Sequence, residues 1–291
     1  MREMNRREFI GSFILSAIAA TAETRGVEPM GLERAKEFVK QAKRELRPDY
    51  LEGEKLHKIP TCCIDGRRPK GEDPHNSPPC AIPGGDEGLM ASTLAALNEL
   101  NIKSPEAKQL ALEALVNFRG GPNSIHFHTD QHAESHLKGN DPQEIVKGCG
   151  HFRLSSEHPE NYGLEKTDID LITANLNALV KKGAVREVLS GEHEEGAVFI
   201  IESENLALDH QTDAGQAFVY NHALHVKLLK EFALELSPKL NLKPEDLTKA
   251  FLDLANKQLM ETTRQLAKGR NIYKVSLGSQ KELLVEEMGK V

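Results

Sequence analysis

Short apolar runs of strand character alternate with longer stretches of helical spacing, and this alternation constrains the fold more than any single residue does. "KIPTCCI", ending on Asp65-Gly66, reads as a strand, and "SIHFHTD" reads as the next, with Ile125 and Phe127 alternating with His126 and His128. "VREVLS" and "AVFIIES" are two more, and "NIYKVSL" has the composition of another near the end. Helical spacing runs through "GLERAKEFVKQAKREL", "EGLMASTLAALNEL" started by Asp86 and Glu87, Pro105 to Phe118, and "DLITANLNALVKKG", which Gly183 stops. Further helices are expected from about Ala214 to Leu236 and from Pro244 to Leu266. The stretch "RRPKGEDPHNSPPCAIPGGDEG" carries five prolines and four glycines and is expected to be a loop. The pattern predicts an α/β fold, a central and mostly parallel sheet flanked by helices.

At 291 residues the chain can bury a full core. Its 44 acidic and 37 basic residues are spread without a Lys/Arg block, which argues against nucleic acid as a partner. At the start, Arg6 and Arg7 precede Phe9, a mild apolar run and the small residues Ala20-Thr21-Ala22. Residues 1–22 therefore read as a twin-arginine export signal or as an amphipathic N-terminal helix, with periplasmic export favoured over retention in the cytoplasm. The run is too short and too mild for a permanent membrane span, so no integral membrane segment is expected.

Chemistry concentrates in "TCCIDGRRP", which a metal site, a redox pair or a buried strand end could each use. The four cysteines, Cys62, Cys63, Cys80 and Cys149, are too few and irregular for a disulfide scaffold. Adjacent strand residues point to opposite faces, so Cys62 reads as core and Cys63 as the candidate ligand. Cys80, in the proline-rich stretch, reads as incidental. Ligands of open α/β sheets bind beyond the carboxyl ends of strands, where Cys63 and His128 both fall. Cys149 lies between glycines in "KGCGHF". One imidazole and two thiolates leave a fourth tetrahedral position open, as in catalytic zinc sites. Asp65 follows Cys63 by two residues and Arg67 by four, a carboxylate and a guanidinium placed to pair beside the ligand. Asp130 stands in the same relation to His128.

The chain resembles the zeta, or cadmium-containing, class of carbonic anhydrases. The resemblance rests on "CIDGR" (Cys63 to Arg67), "IPGG" (Ile82 to Gly85), "HTD" (His128 to Asp130) and "GCGHF" (Gly148 to Phe152). "GEHEEGAVFI" and "DAGQAFVYNHAL" follow in the same order. The C-x-D-x-R element is also similar to that of the beta class. Two features depart from the pattern: "ESHLKGNDPQE" lengthens the segment between His128 and Cys149, and His151 stands where an aromatic residue is expected.

The resemblance implies a beta-carbonic-anhydrase-like catalytic domain over residues 58–236; the flanking stretches 23–57 and 237–291, which it does not cover, read as helical extensions. It implies Cys63, His128 and Cys149 as metal ligands, Asp65 and Arg67 as the catalytic pair beside them, and Gly84 and Gly85 lining the carbon dioxide pocket. Zinc would be the cofactor, with cadmium able to replace it, since thiolates suit both ions. The implied reaction is reversible hydration of carbon dioxide to bicarbonate, with metal-bound hydroxide as nucleophile. His151 and His193 are candidate proton shuttles; His132 and His136 share that chemistry but read as solvent-exposed. His210, His222 and His225 read as ordinary helix or loop residues. Two other readings stay open. The same site could hydrate carbon disulfide or carbonyl sulfide, or a closed site could bind zinc without catalysis, with Asp65 or His151 as fourth ligand. Homo-oligomerisation is an open expectation.

Overall fold

A computed structural model describes residues 29–46, 53–65, 80–130, 158–189, 196–209, 217–266 and 269–290. Residues 1–22, Arg67, His132, His136, Cys149, His151, His193 and His210 lie outside the described residues. His128 and Asp130 are described as backbone positions only.

The chain is a mixed α/β protein. Its first helix, α1 (Leu32–Ala42), leads into the short strand β1 (Lys43–Glu45). Strands β2 (Thr61–Cys63) and β3 (Cys80–Ile82) pair in parallel, Thr61 opposite Cys80 and Cys63 opposite Ile82. Helices α2 (Gly85–Glu99) and α3 (Pro105–Phe118) follow. Strand β4 (His126–Asp130) pairs in parallel with β5 (Val185–Leu189), and α4 (Lys166–Val180) lies between them in sequence. Strand β6 (Ala197–Ile201) is flanked in parallel by β8 (Ala217–Tyr220) and β9 (Asn271–Leu277), while β7 (Leu206–Leu208) pairs antiparallel with β1. The last helices are α5 (His222–Leu240) and α6 (Pro244–Leu266), and β10 (Leu283–Lys290) closes an antiparallel hairpin with β9. The pieces abut: the Val219 N–H donates to the Ile64 carbonyl at 3.0 Å and the Asn221 N–H to the Ala81 carbonyl at 2.8 Å. Apart from β1–β7 and the β9–β10 hairpin, every described pairing is parallel, as the alternation predicts.

The strands separate two cores with the period of two that a pleated sheet requires. Val198, Ile200, Phe218 and Tyr220 join the larger one, which α2 through α6 supply with Leu94, Leu115, Leu176, Phe232 and Phe251. Phe199, Ile201, Ala217 and Val219 join the smaller one, which α1 covers through Ala35 and Val39. Phe38 stacks on Phe199 there at 5.1 Å between ring centroids. Helix α2 is buried on every side from Gly85 to Leu97, which accounts for its lack of a polar stripe. Helix α3 starts where expected, with Pro105 at its first position and the Ser104 hydroxyl accepting the Ala107 N–H.

Two local expectations are corrected. Cys80–Ile82 is a buried strand, not loop. The helix expected from Ala214 begins only at His222, because Ala217–Tyr220 is a strand beside β6. Four apolar residues cannot be told from a helical turn by periodicity; only the neighbouring strand decides. The C-terminal extension is helical as far as Leu266 and then forms the β9–β10 hairpin, with β9 an integral strand beside β6.

Candidate metal centre

Cys62 and Cys63 divide as strand geometry requires. Cys62 belongs to the smaller core with Ala81, and Cys63 to the larger one with Ile82. Cys63 is the last residue of β2, and Asp65 follows it in irregular backbone; each is 5% exposed. A buried thiol at a strand's carboxyl end is a donor suited to a soft divalent cation, and a buried carboxylate lies two residues on.

The Gly84-Gly85 turn connects β3 to α2 with φ of 75° and 58°, a left-handed conformation that favours glycine. A Cβ on Gly85 would lie 3.4 Å from the Cys62 carbonyl carbon, 3.5 Å from the Cys63 nitrogen and 3.6 Å from the His126 carbonyl oxygen. The start of α2 is therefore seated against the ends of both strands that carry expected ligands. His128, two residues beyond His126 on β4, pairs with Glu187 of β5.

Behind this turn lies an ion pair that the sequence reading missed. Asp86 is fully buried and Arg119, at the C-cap of α3, is 1% exposed. Arg119 Nε donates to Asp86 Oδ1 at 2.9 Å. Its Nη1 donates to the His57 carbonyl at 2.6 Å, and its Nη2 to the Ile59 carbonyl at 2.7 Å and to Thr61 Oγ1 at 3.3 Å. Asp86 Oδ2 accepts the His126 N–H at 2.8 Å. Asp86 was legible only as a helix-starting acid and nothing local marked Arg119; their separation of 33 positions carries no local signal.

Cys80 is a core thiol beside this pair, and burial pushes its pKa up to about 12. Arg119 opposes that shift and Asp86 adds to it. Such a thiol stays protonated at neutral pH and is a poor ligand. His222 and His225 fall in α5, in keeping with their reading as helix residues, and both are buried and engaged. His222 Nδ1 lies 3.0 Å from both carboxylate oxygens of Glu202, and His225 Nδ1 shares a 2.9 Å hydrogen bond with the Tyr220 hydroxyl. Burial, then Glu202 and Cys80, hold the Tyr220 phenol well above its usual pKa. Among the described residues, no three His, Cys, Asp or Glu side chains converge as a metal site. Of the expected ligands, the structure places the Cys63 side chain and the His128 backbone; Cys149 lies outside the described residues.

No protein-family model and no curated protein matches the chain. Among solved structures, a carbonic anhydrase from the marine diatom Thalassiosira weissflogii, its cadmium-bound domain 2 with acetate, aligns over 93% of this chain and 99% of that one, with 16% sequence identity and a TM-score of 0.44.

Proposed function

We propose that the chain is a metal-dependent lyase of the carbonic anhydrase type, converting carbon dioxide reversibly to bicarbonate. The observation that carries this reading is the placement of Cys63 and buried Asp65 at the carboxyl end of β2, against the Gly84-Gly85 turn. The ordered motifs of the sequence support it. Cys63, His128 and Cys149 would hold zinc or cadmium, and the ion would supply the Lewis acidity that makes water nucleophilic near neutral pH. Asp65 accepts a hydrogen bond from the attacking water and orients it, and Arg67 keeps that carboxylate ionised. Gly84 and Gly85 present no side chain at the turn and would line the carbon dioxide pocket. His151 and His193 carry the released proton toward solvent. The substrate side is thus a small molecule. Among the described residues no helix is long and apolar enough to cross a membrane.

The test is to quantify bound zinc and cadmium in the purified protein and follow carbon dioxide hydration by stopped flow, with and without a chelator. Chelator-sensitive hydration that disappears in Cys63→Ala and Cys149→Ala is expected; full activity in either metal-free variant would sink the proposal. The burial of Asp65 favours one second reading, a closed site in which Asp65 is the fourth ligand. That protein would bind metal without hydrating carbon dioxide, and Asp65→Asn would loosen the metal rather than only slow turnover. Hydration of carbon disulfide or carbonyl sulfide in the same assay separates the remaining substrate reading.

A further inference from the structure

We propose that Asp86 and Arg119 are the positioning residues of the metal centre, setting the register between the Cys63 strand and the His128 strand. This rests on the reading of Cys63 and His128 as ligands given above. Among the described pairings β2 ladders with β3 and β4 with β5, and none joins β2 to β4. The Asp86–Arg119 ion pair links the two strands. Arg119 binds residues 57, 59 and 61, the lead-in and first residue of β2. Asp86 binds Arg119 with one oxygen and the first N–H of β4, that of His126, with the other. Each strand is thus gripped two residues before its ligand, at Thr61 for Cys63 and at His126 for His128. Asp86 also follows Gly85 directly, and the Cβ position of Gly85 faces the Cys62–Cys63 peptide.

A role confined to stability predicts a different pattern, because a buried ion pair often stabilises no more than apolar side chains of equal volume. The chain contains an internal control. Lys108 Nζ donates to Asp168 Oδ1 at 2.6 Å, both buried, in a cluster that includes Asn98 near the far end of α2. Asn98 is roughly 18 Å along the helix from Asp86 at 1.5 Å per residue.

The experiment loads the full chain with cobalt(II), whose thiolate charge-transfer and d–d absorption report ligand geometry, and measures zinc affinity by chelator competition. Wild type, Cys63→Ala, Asp86→Asn, Arg119→Lys and Asp168→Asn are compared at a temperature well below each melting point. Asp86→Asn and Arg119→Lys are expected to lose about tenfold or more in zinc affinity and to shift the cobalt spectrum. Asp168→Asn should melt lower yet keep the wild-type spectrum and affinity. Asp86→Asn preserves volume and an acceptor for His126, so it answers the question where Arg119→Lys fails to fold. Wild-type affinity and spectrum in Asp86→Asn and Arg119→Lys overturn the inference, and so does an equal shift in Asp168→Asn. If the wild type shows no Cys63-dependent cobalt binding, the metal-site reading falls and this inference with it.

Discussion

Cys62 and Cys63 are joined by one peptide bond and face different cores, Cys62 beside Ala81 on the α1 side and Cys63 beside Ile82 on the side of α2. The Cβ position of Gly85 faces the peptide between them, at 3.4 Å from the Cys62 carbonyl carbon. Their substitutions should therefore have separate effects.

Cys62→Ala is expected to lower stability by about 1 kcal/mol, the loss of a small buried side chain, while metal content stays at the wild-type level. Cys63→Ala is expected to abolish metal binding and hydration together. Urea unfolding of the metal-free proteins and metal analysis of the loaded ones check both halves. Equal metal loss in the two variants would contradict the division.

Gly85→Ala tests the turn. Space for a Cβ exists at ordinary van der Waals distance, so the expected cost comes from the φ of 58°. Forcing a side chain into the left-handed region costs about 1–2 kcal/mol, visible as a lower urea midpoint with an unchanged slope. A neutral outcome would mean that the turn relaxes away from the strand ends.

The Lys108–Asp168 pair supports the helical layer. Asp168 also accepts the Glu165 N–H at 2.8 Å and an Asn98 Nδ2 hydrogen at 2.7 Å. Asp168→Leu leaves Lys108 buried without its carboxylate and is expected to cost about 3–5 kcal/mol. Thermal unfolding of the metal-free protein reads this directly, and a loss below 1 kcal/mol would show that Lys108 finds solvent or the Glu165 carboxylate, 3.8 Å away.

Cys80 gives the protein an alkaline sensitivity. Its thiol ionises near 9 in the unfolded chain and near 12 in the folded one, so the folded state holds its proton longer. The stabilisation is complete below pH 9 and is lost as pH rises from 9 toward 12, by up to about 1.4 kcal/mol per unit. Cys80→Ala should flatten that part of the stability curve, measured by urea titration at a series of pH values. A curve of the same steepness in the variant would assign the effect to other groups.

Local patterns in the sequence determined much of this protein. The Ser104-Pro105 start of α3, the Gly183 stop after α4, the helical spacing of α2, the alternation in β4 and the continuous apolar run of β6 are short-range signals, each set by residues within one or two turns. The opposite facing of Cys62 and Cys63 follows from the pleat of any strand. Tertiary structure alone decided the rest. Cys80–Ile82 and Ala217–Tyr220 are strands because β2 and β6 offer parallel partners, not because four or fewer apolar residues prefer that state. Arg119 meets Asp86, and Lys108 meets Asp168, across 33 and 60 positions, where helices and strand ends pack together. A buried charge finds its partner through the fold's geometry, and nothing in its immediate neighbours records which partner that is. The candidate ligands were legible one by one; the clamp that spaces two of their strands was not.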